Sequence, residues 1–256
     1  MGALGRHAMR RREPLRFSLR VMGRPVDVAV EAPPERARLD ELLPALRALA
    51  DAVVAGTVAA AEAEGRHVSC RAGCAACCKG HPVSVTPPEA AALARLVDRM
   101  PEPRRSAVRA RFAVAVAKLQ TAGVHQVFLE PESVTTAEQA NEVVRRYSAL
   151  DLHCPFLEGG ACGIYADRPF VCRQYMVTSP PELCDDPLGN PIERLHPPVG
   201  MAGALLRAVE ALTGAPEHTV PLVLALDHAA RRRGDLGRKY DSRAAIGEVM
   251  GHVAAG

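Results

Sequence analysis

Residues 69–80 read SCRAGCAACCKG, and this short stretch holds four of the chain's eight cysteines: Cys70, Cys74, Cys77 and Cys78. The other four lie in CPFLEGGACGIYADRPFVCRQYMVTSPPELC at residues 154–184: Cys154, Cys162, Cys172 and Cys184. Clustered thiols form disulfides, bind soft metals or act as nucleophiles. The choice among these chemistries decides both the architecture and the function.

The spacing of the first four cysteines favours a metal. If residues 70–78 form a helix, the spacing i, i+4, i+7 and i+8 places the thiols on one face. Thiolate is the softest protein ligand, and a bound cation removes the repulsion among several thiolates. Adjacent side chains diverge along a helix, so Cys77 and Cys78 are not expected to bind one tetrahedral ion. Two metals, or a cluster of several irons, resolve this difficulty.

The second cysteine stretch is a separate set of candidate ligands. Glu158-Gly159-Gly160 predicts a turn between two strand-like pieces, which lets Cys154 and Cys162 lie close across a hairpin. Asp167 is predicted to cap a short helix that carries Cys172, with Pro169 in its first turn. Cys184 follows on a proline-rich loop. We therefore predict that all eight cysteines are metal ligands, in one shared site or in two: Cys70, Cys74, Cys77, Cys78, Cys154, Cys162, Cys172 and Cys184.

The expected cellular compartment and the net charge of the chain bear on the choice between disulfides and metal binding, and on the kind of partner. No apolar segment typical of a secretory signal follows the basic N-terminus, so we expect a cytoplasmic protein, whose cysteine framework indicates metal binding. Four disulfides in an exported protein are the alternative, and the strain of a vicinal Cys77-Cys78 bridge argues against it. No uninterrupted apolar stretch reaches membrane-spanning length, the longest lying around 220–226. The formal charge of +3 does not favour nucleic acid or membrane, and we expect neither as a partner.

Composition and periodicity predict a mainly α fold. Aromatic residues make up 4% of the chain, with no Trp, so aliphatic and alanine-rich helix packing must form most of the core. We predict a helical domain with short β-hairpins around a cysteine-rich metal-binding centre. Its predicted segments are a disordered basic N-terminus at 1–13, a hairpin and helices at 14–66, a cysteine-cluster metal-binding domain at 67–190, and a C-terminal helical extension at 191–256.

Local signals place the individual elements. A hairpin is predicted at 15–30 around Gly23-Arg24. A helical pattern covers 35–64, and Pro44 within it predicts a kink or a fresh helix. Thr86 with Glu89, and Thr135 with Glu138, are typical of capping boxes. Further helices are predicted over 103–121, 200–213, 219–233 and 241–253.

These motifs resemble a known family, the YkgJ-like cysteine-cluster proteins, also described as a zinc- or iron-chelating CxxCxxCC domain. The resemblance rests on SCRAGCAACCKG, on VSVTPPEAAAL at 83–93, and on CPFLEGGACGIYADRPFVCRQY with Cys184 after it, and it covers about residues 68–185. It implies bound iron or zinc and leaves the reaction open. Flagellin lysine N-methylases are similar over these motifs and are associated with an iron–sulfur cluster and S-adenosylmethionine.

Residues beside the cysteines are candidates to tune the site. Cations near thiols lower thiol pKa values and offset thiolate charge. We predict Arg168, Arg173 and Tyr165 as cofactor-binding residues. Phe156, Leu157 and Ile164 are predicted to form an apolar wall, and the loop histidines His81 and His153 are alternative ligands.

Three functions fit this pattern. The first is an iron–sulfur or multinuclear iron centre used in redox or metal-centred chemistry, with a protein substrate or a redox partner. It is favoured because eight thiolates with a vicinal pair exceed the four that one zinc ion needs. The second is an interaction module stabilised by zinc. The third is a protein (lysine) methyltransferase-like enzyme that depends on an iron–sulfur cluster, so whether the protein is an enzyme stays open, as does its oligomeric state.

Overall fold

The computed structural model describes residues 13–80, 82–186 and 189–254. The predicted disordered N-terminus, residues 1–13, lies almost wholly outside the described residues. Within the described chain the fold is mainly α with short two-stranded sheets, which confirms the predicted class. The helices are α1 (Leu39–Ala63), α2 (Pro87–Asp98), α3 (Arg104–Thr121), α4 (His125–Leu129), α5 (Ala137–Ser148), α6 (Phe170–Gln174), α7 (Met201–Thr213), α8 (Ala225–Arg231), α9 (Arg233–Leu236) and α10 (Ser242–Ala254).

The strands of the described chain pair two by two, and every pair is antiparallel. Some pairs are local hairpins, whereas others join parts of the chain far apart in sequence. The pairs are β1 (Leu15–Val21) with β2 (Arg24–Val30), β3 (Arg36–Ala37) with β10 (Tyr240–Asp241), β4 (Ser84–Val85) with β9 (Val220–Pro221), β5 (Leu157–Glu158) with β6 (Ala161–Cys162), and β7 (Met176–Val177) with β8 (Arg194–Leu195).

The N-terminal hairpin is confirmed, although its turn lies one residue earlier than the predicted Gly23-Arg24, because Arg24 already pairs with Val21. β1 and β2 are joined at Met22-Gly23, where Gly23 has a φ of +77°. Pro44, in contrast, does not start a fresh helix, because α1 runs through it. Pro44 lies in the second turn of α1, where its missing N–H removes one hydrogen bond, to the carbonyl of Asp40.

Helix α1 is the one helix of the described chain that length and apolar composition would allow to cross a membrane. It is distinct from the apolar stretch around 220–226, the longest uninterrupted one predicted from the sequence. A long helix in a protein core passes the same test, and Leu42, Leu43, Leu46 and Leu49 of α1 are buried within the fold.

Three predicted helices differ from the structure. The helix predicted over 35–64 begins only at Leu39, because β3 occupies part of the segment before it. α5 is capped by Thr136 with Gln139 rather than by Thr135 with Glu138. The helix predicted over 219–233 is divided, because β9 and a 3₁₀ turn at Leu222–Leu224 occupy its first part before α8 and α9 begin. α4 was not predicted.

The largest hydrophobic core lies between the hairpin and helices α1, α7 and α10. It contains Leu15, Leu46, Phe170, Leu205 and Ile246, all buried, so residues of three predicted segments pack together. Because this core is shared by the three segments, it does not mark a boundary at 66 or at 190, and both boundaries stay predictions.

A second hydrophobic core packs against two cysteines of the second stretch. It joins α2 and α3 to the β5–β6 hairpin, and the rings of Phe112 and Phe156 meet edge to face with centroids 5.4 Å apart. The partly buried side chains of Cys154 and Cys162 pack against this core. Helices α2 and α3 thus provide the hydrophobic surface that positions part of the second cysteine stretch.

Candidate metal centre

The first cysteine stretch does not form the helix that would place its thiols on one face. Its only helical part is a 3₁₀ turn at Ala76–Cys78, and Gly73 before it has a φ of +87°. An α-helix cannot continue through such a left-handed residue, and glycine adopts it without a steric cost. The thiols are therefore brought together by loop structure.

Backbone hydrogen bonds tie this loop to both ends of the second cysteine stretch. The N–H of Cys154 donates to the carbonyl oxygen of Cys78 at 2.8 Å, and the N–H of Ser69 donates to that of Val177 at 2.9 Å. The ammonium of Lys79 lies 3.4 Å from Oδ1 of Asp185, next to Cys184. The fold thus brings the two cysteine stretches into contact. Such contact is necessary if the cysteines of the first stretch share a metal site with those of the second.

The β5–β6 hairpin is confirmed, and arginines from α3 hold it in place. Gly159 and Gly160 both have positive φ, and Leu157 pairs with Cys162. The carboxylate of Glu158 lies 2.9 Å from a guanidinium nitrogen of Arg104 and 3.0 Å from one of Arg111. The sequence analysis missed this clamp, although two arginines seven residues apart lie on one helix face and could have indicated it.

Helix α6, which carries Cys172, begins one residue after Pro169 rather than at a cap formed by Asp167. The carboxylate of Glu89 explains this start, since Oε1 accepts a hydrogen bond from the N–H of Phe170 at 2.7 Å. Oε2 accepts from the N–H and hydroxyl of Thr86, at 2.9 and 2.8 Å, so that the predicted capping box of α2 is present. Burial raises the pKa of Glu89, and these three hydrogen bonds oppose the rise.

Six of the eight cysteines line one cavity of about 310 Å³. Cys70 and Cys184 are not part of its lining. Both interact electrostatically with Cys74 and Cys77, which are. The six are Cys74, Cys77, Cys78, Cys154, Cys162 and Cys172.

Electrostatic interactions link the thiols into two groups that share the vicinal pair Cys77 and Cys78. Cys184 interacts electrostatically with Cys70, Cys77 and Cys74, and Cys70 with Cys74 and Cys77. On the other side, Cys78 shares a hydrogen bond with Cys154 and interacts with Cys162, while Cys172 interacts with Cys78 and Cys162. Cys77 also interacts with Cys162 and Cys172, which places it between the groups.

In the metal-free protein, burial and hydrogen bonds between thiols raise the pKa values of six cysteines, namely Cys70, Cys77, Cys78, Cys162, Cys172 and Cys184. The hydrogen bond with Cys154 is the largest cause that raises the pKa of Cys78, from 9.0 to about 12. The hydrogen bond with Cys78, followed by burial, raises the pKa of Cys77, and burial raises the pKa of Cys172. The nearby guanidinium of Arg168 acts in the opposite direction on the pKa values of Cys70, Cys77 and Cys162. A metal that binds here must therefore displace protons.

The donor set fits a thiophilic metal in number and chemistry. None of the eight cysteines forms a disulfide. Within residues 13–80, 82–186 and 189–254, however, no three His, Cys, Asp or Glu side chains are oriented to hold one ion. Cys77, Cys78 and Cys154 instead share hydrogen bonds with one another, so their side chains would have to rotate to coordinate a metal.

The three predicted cofactor-binding residues lie in different surroundings. Arg168 and Tyr165 line the cavity, with the guanidinium carbon 4.0 Å from the centroid of the ring. Arg173 is buried outside the cavity lining and acts as a strut, since it pairs with Asp51 at 2.6 Å and donates to the carbonyl oxygen of Arg168 at 3.0 Å. Direct contact of these residues with a cofactor stays a prediction.

The predicted apolar wall and the alternative histidine ligands also lie partly inside and partly outside the cavity lining. Phe156 and Ile164 line the cavity, whereas Leu157 does not. His153 is about half exposed, with Nε2 3.5 Å from Oδ1 of Asp151, and is not part of the lining. His81 lies outside the described residues. The sequence analysis missed Arg194, which lines the cavity 5.0 Å from the ring centroid of Tyr175.

Comparison with known proteins finds a family model that covers both cysteine stretches. Residues 69–185 match a family model described as "putative zinc- or iron-chelating domain", and this range contains all eight cysteines. Over those residues, somewhat less than half of the chain, the protein is similar to the CxxCxxCC family, which confirms the YkgJ-like resemblance. A search of curated proteins and a search of solved structures each found no match.

Proposed function

We propose that this protein holds an iron–sulfur cluster or another multinuclear iron centre on its cysteines and uses it in redox or metal-centred chemistry. The observation that carries the proposal is the joint cavity, which six thiols line, while Cys70 and Cys184 interact electrostatically with Cys77. Such a centre, when bound, supplies one-electron transfer. In keeping with this chemistry, we propose a cytoplasmic protein with a protein substrate or a redox partner, and with neither nucleic acid nor a membrane as its main partner.

The two thiol groups suggest how the ligands divide. Cys77 would act with Cys70, Cys74 and Cys184, and Cys78 with the group Cys154, Cys162 and Cys172. This division removes the difficulty of the vicinal pair, because the two adjacent side chains serve different groups. Arg168, which interacts with thiols of both groups, would offset part of the thiolate charge.

The same division supports a second candidate, a protein stabilised by two zinc ions with no chemistry of its own. Each group contains four thiols, the number that a structural zinc ion takes. The two candidates therefore use the same residues and differ in the metal.

Metal analysis of protein purified without oxygen separates them. Iron with sulfide and a broad visible absorption supports the iron centre. Colourless protein with about two zinc ions per chain refutes the iron proposal and supports the zinc module.

The methyltransferase-like alternative has a test of its own. Calorimetric titration with S-adenosylmethionine should show no binding if the centre serves redox chemistry alone. Saturable binding that is lost when the metal is removed would favour the enzyme.

A further inference from the structure

The cavity that six cysteines line has a second wall, whose side chains cannot bind a metal. This wall is formed by apolar side chains from several elements, with α5 contributing Val144 and the 3₁₀ turn after β9 contributing Leu222. Carbon side chains cannot coordinate a metal, so an organic ligand would share this cavity of about 310 Å³ with the centre on the thiol wall. The other members of the wall are Pro82, Val83, Phe156, Ile164, Pro169 and Val171.

Arg168 provides a cation in this cavity. In the part of the chain that the structure describes, no carboxylate lies within ion-pair distance of its guanidinium, and its buried Nε has no hydrogen-bond partner. Nearby arginines differ, since Arg47 pairs with Asp167 at 2.7 Å and Arg173 with Asp51. A buried guanidinium donor without an acceptor is costly unless a ligand supplies one.

The aromatic residues around this cation complete the pattern of a ligand site. The guanidinium carbon of Arg168 lies 4.0 Å from the ring centroid of Tyr165, and that of Arg194, at the same cavity, lies 5.0 Å from the ring centroid of Tyr175. An apolar cavity with a few placed polar groups is the usual form of a small-molecule site. A planar guanidinium binds a carboxylate through two parallel hydrogen bonds.

We infer that this cavity binds a small organic carboxylate, whose charged group is held by Arg168 and whose apolar part contacts Val144 and Leu222. The bound molecule would lie against the thiol wall, next to the metal. The inference therefore deepens the proposed function and rests on it for the identity of the neighbouring centre.

The test is calorimetric titration of the metal-loaded protein with hexanoate and benzoate, alongside hexanamide and benzamide as uncharged controls of matched shape. We expect saturable binding of the carboxylates and at least about tenfold weaker binding of the amides, as the loss of one charge-assisted pair implies. Equal affinity for acids and amides, or no binding of either at millimolar concentration, would overturn the inference.

Two variants locate the binding site. Arg168→Gln should weaken carboxylate binding about 10- to 100-fold. Arg194→Gln, at an exposed position, should weaken it less and serves as the second test if Arg168→Gln does not fold. Arg145→Gln is the matched control, because Arg145 lies on α5 outside the cavity lining and pairs with Glu142. Unchanged affinity in both cavity variants would refute the assignment.

Metal content, measured on every sample, keeps the two proposals separate. Carboxylate binding to protein that never takes up iron supports the inference while the iron proposal fails. Binding that occurs only after metal removal and disappears on loading would overturn the inference, because the metal would then fill the cavity.

Discussion

The substitution Glu89→Gln tests whether one buried carboxylate holds the metal-binding region together. Glu89 is 2% exposed, and its two oxygens join the start of α2 to the start of α6, 81 residues further along the chain. Glutamine keeps the shape but replaces one oxygen by an NH₂ group. Either the N–H of Phe170 or the N–H of Thr86 would then face another donor.

The expected cost follows from these contacts. A hydrogen bond to a charged group contributes about 1.5–3 kcal/mol, and the opposing donor would be buried without an acceptor. Removing the charge also removes the desolvation cost that raises the pKa of Glu89. We therefore expect the free energy of unfolding to fall by about 1.5 kcal/mol, the low end of that range. Urea denaturation of the metal-free protein measures this change directly.

The same variant should also bind metal more weakly, because Phe170 begins the helix that carries Cys172. Competition with a chromophoric chelator measures that affinity. Glu102→Gln is the matched control, since Glu102 accepts a hydrogen bond from the N–H of Ser106 at the start of α3 but is fully exposed, and we expect no measurable change. If Glu89→Gln stays within about 0.5 kcal/mol of the parent, as exposed substitutions do, the reasoning about this carboxylate is wrong.

Three further predictions concern the thiols and one buried histidine. Cys77→Ser and Cys78→Ser should each lose about half of the bound metal if it is zinc, from different groups, as metal analysis would show; full occupancy in both variants would contradict their role as ligands. The metal-free protein should lose thermal stability as the pH rises above 9, because the folded state keeps the Cys78 proton, with its pKa raised from 9.0 to about 12, while the unfolded chain releases it. Cys78→Ser should make that loss smaller, and stability that is flat or rising between about pH 8 and 10 would contradict the shift. Burial lowers the pKa of His228 from 6.5 to about 4, so its contribution to stability is present above pH 6.5 and is lost as the pH falls toward 4; the acid limb of a denaturation profile should be flatter in His228→Gln.

Elements whose signals are local in sequence could be predicted. The first hairpin, the capping box of Thr86 with Glu89 and the Gly159-Gly160 turn each need only a few neighbouring residues, and the structure contains all three. The cap of α5 shows the limit of such signals. Thr135 with Glu138 and Thr136 with Gln139 satisfy the same pattern, and the sequence alone does not decide between them.

The arrangement of the site depended on contacts that no local pattern reveals. The spacing of Cys70 to Cys78 suits a helix face, but Gly73 takes a left-handed conformation and the loop is held by residues about 75 to 110 positions away, such as Cys154 and Val177. Glu89 was visible only as a cap, because its bond to Phe170 joins parts of the chain separated by three helices. The cysteines themselves could be found from sequence, whereas the residues that position them could not.

The meeting of Cys184 with Cys70, Cys74 and Cys77 has a consequence during protein synthesis. Cys184 follows Cys78 by 184 − 78 = 106 residues, which a ribosome adds in roughly 5–20 seconds at about 5–20 residues per second. During that interval the first thiols have emerged or are emerging while their partner does not yet exist. A centre built on this group must therefore be assembled late, on a chain that has already been made past Cys184, and the early thiols must stay reduced until then.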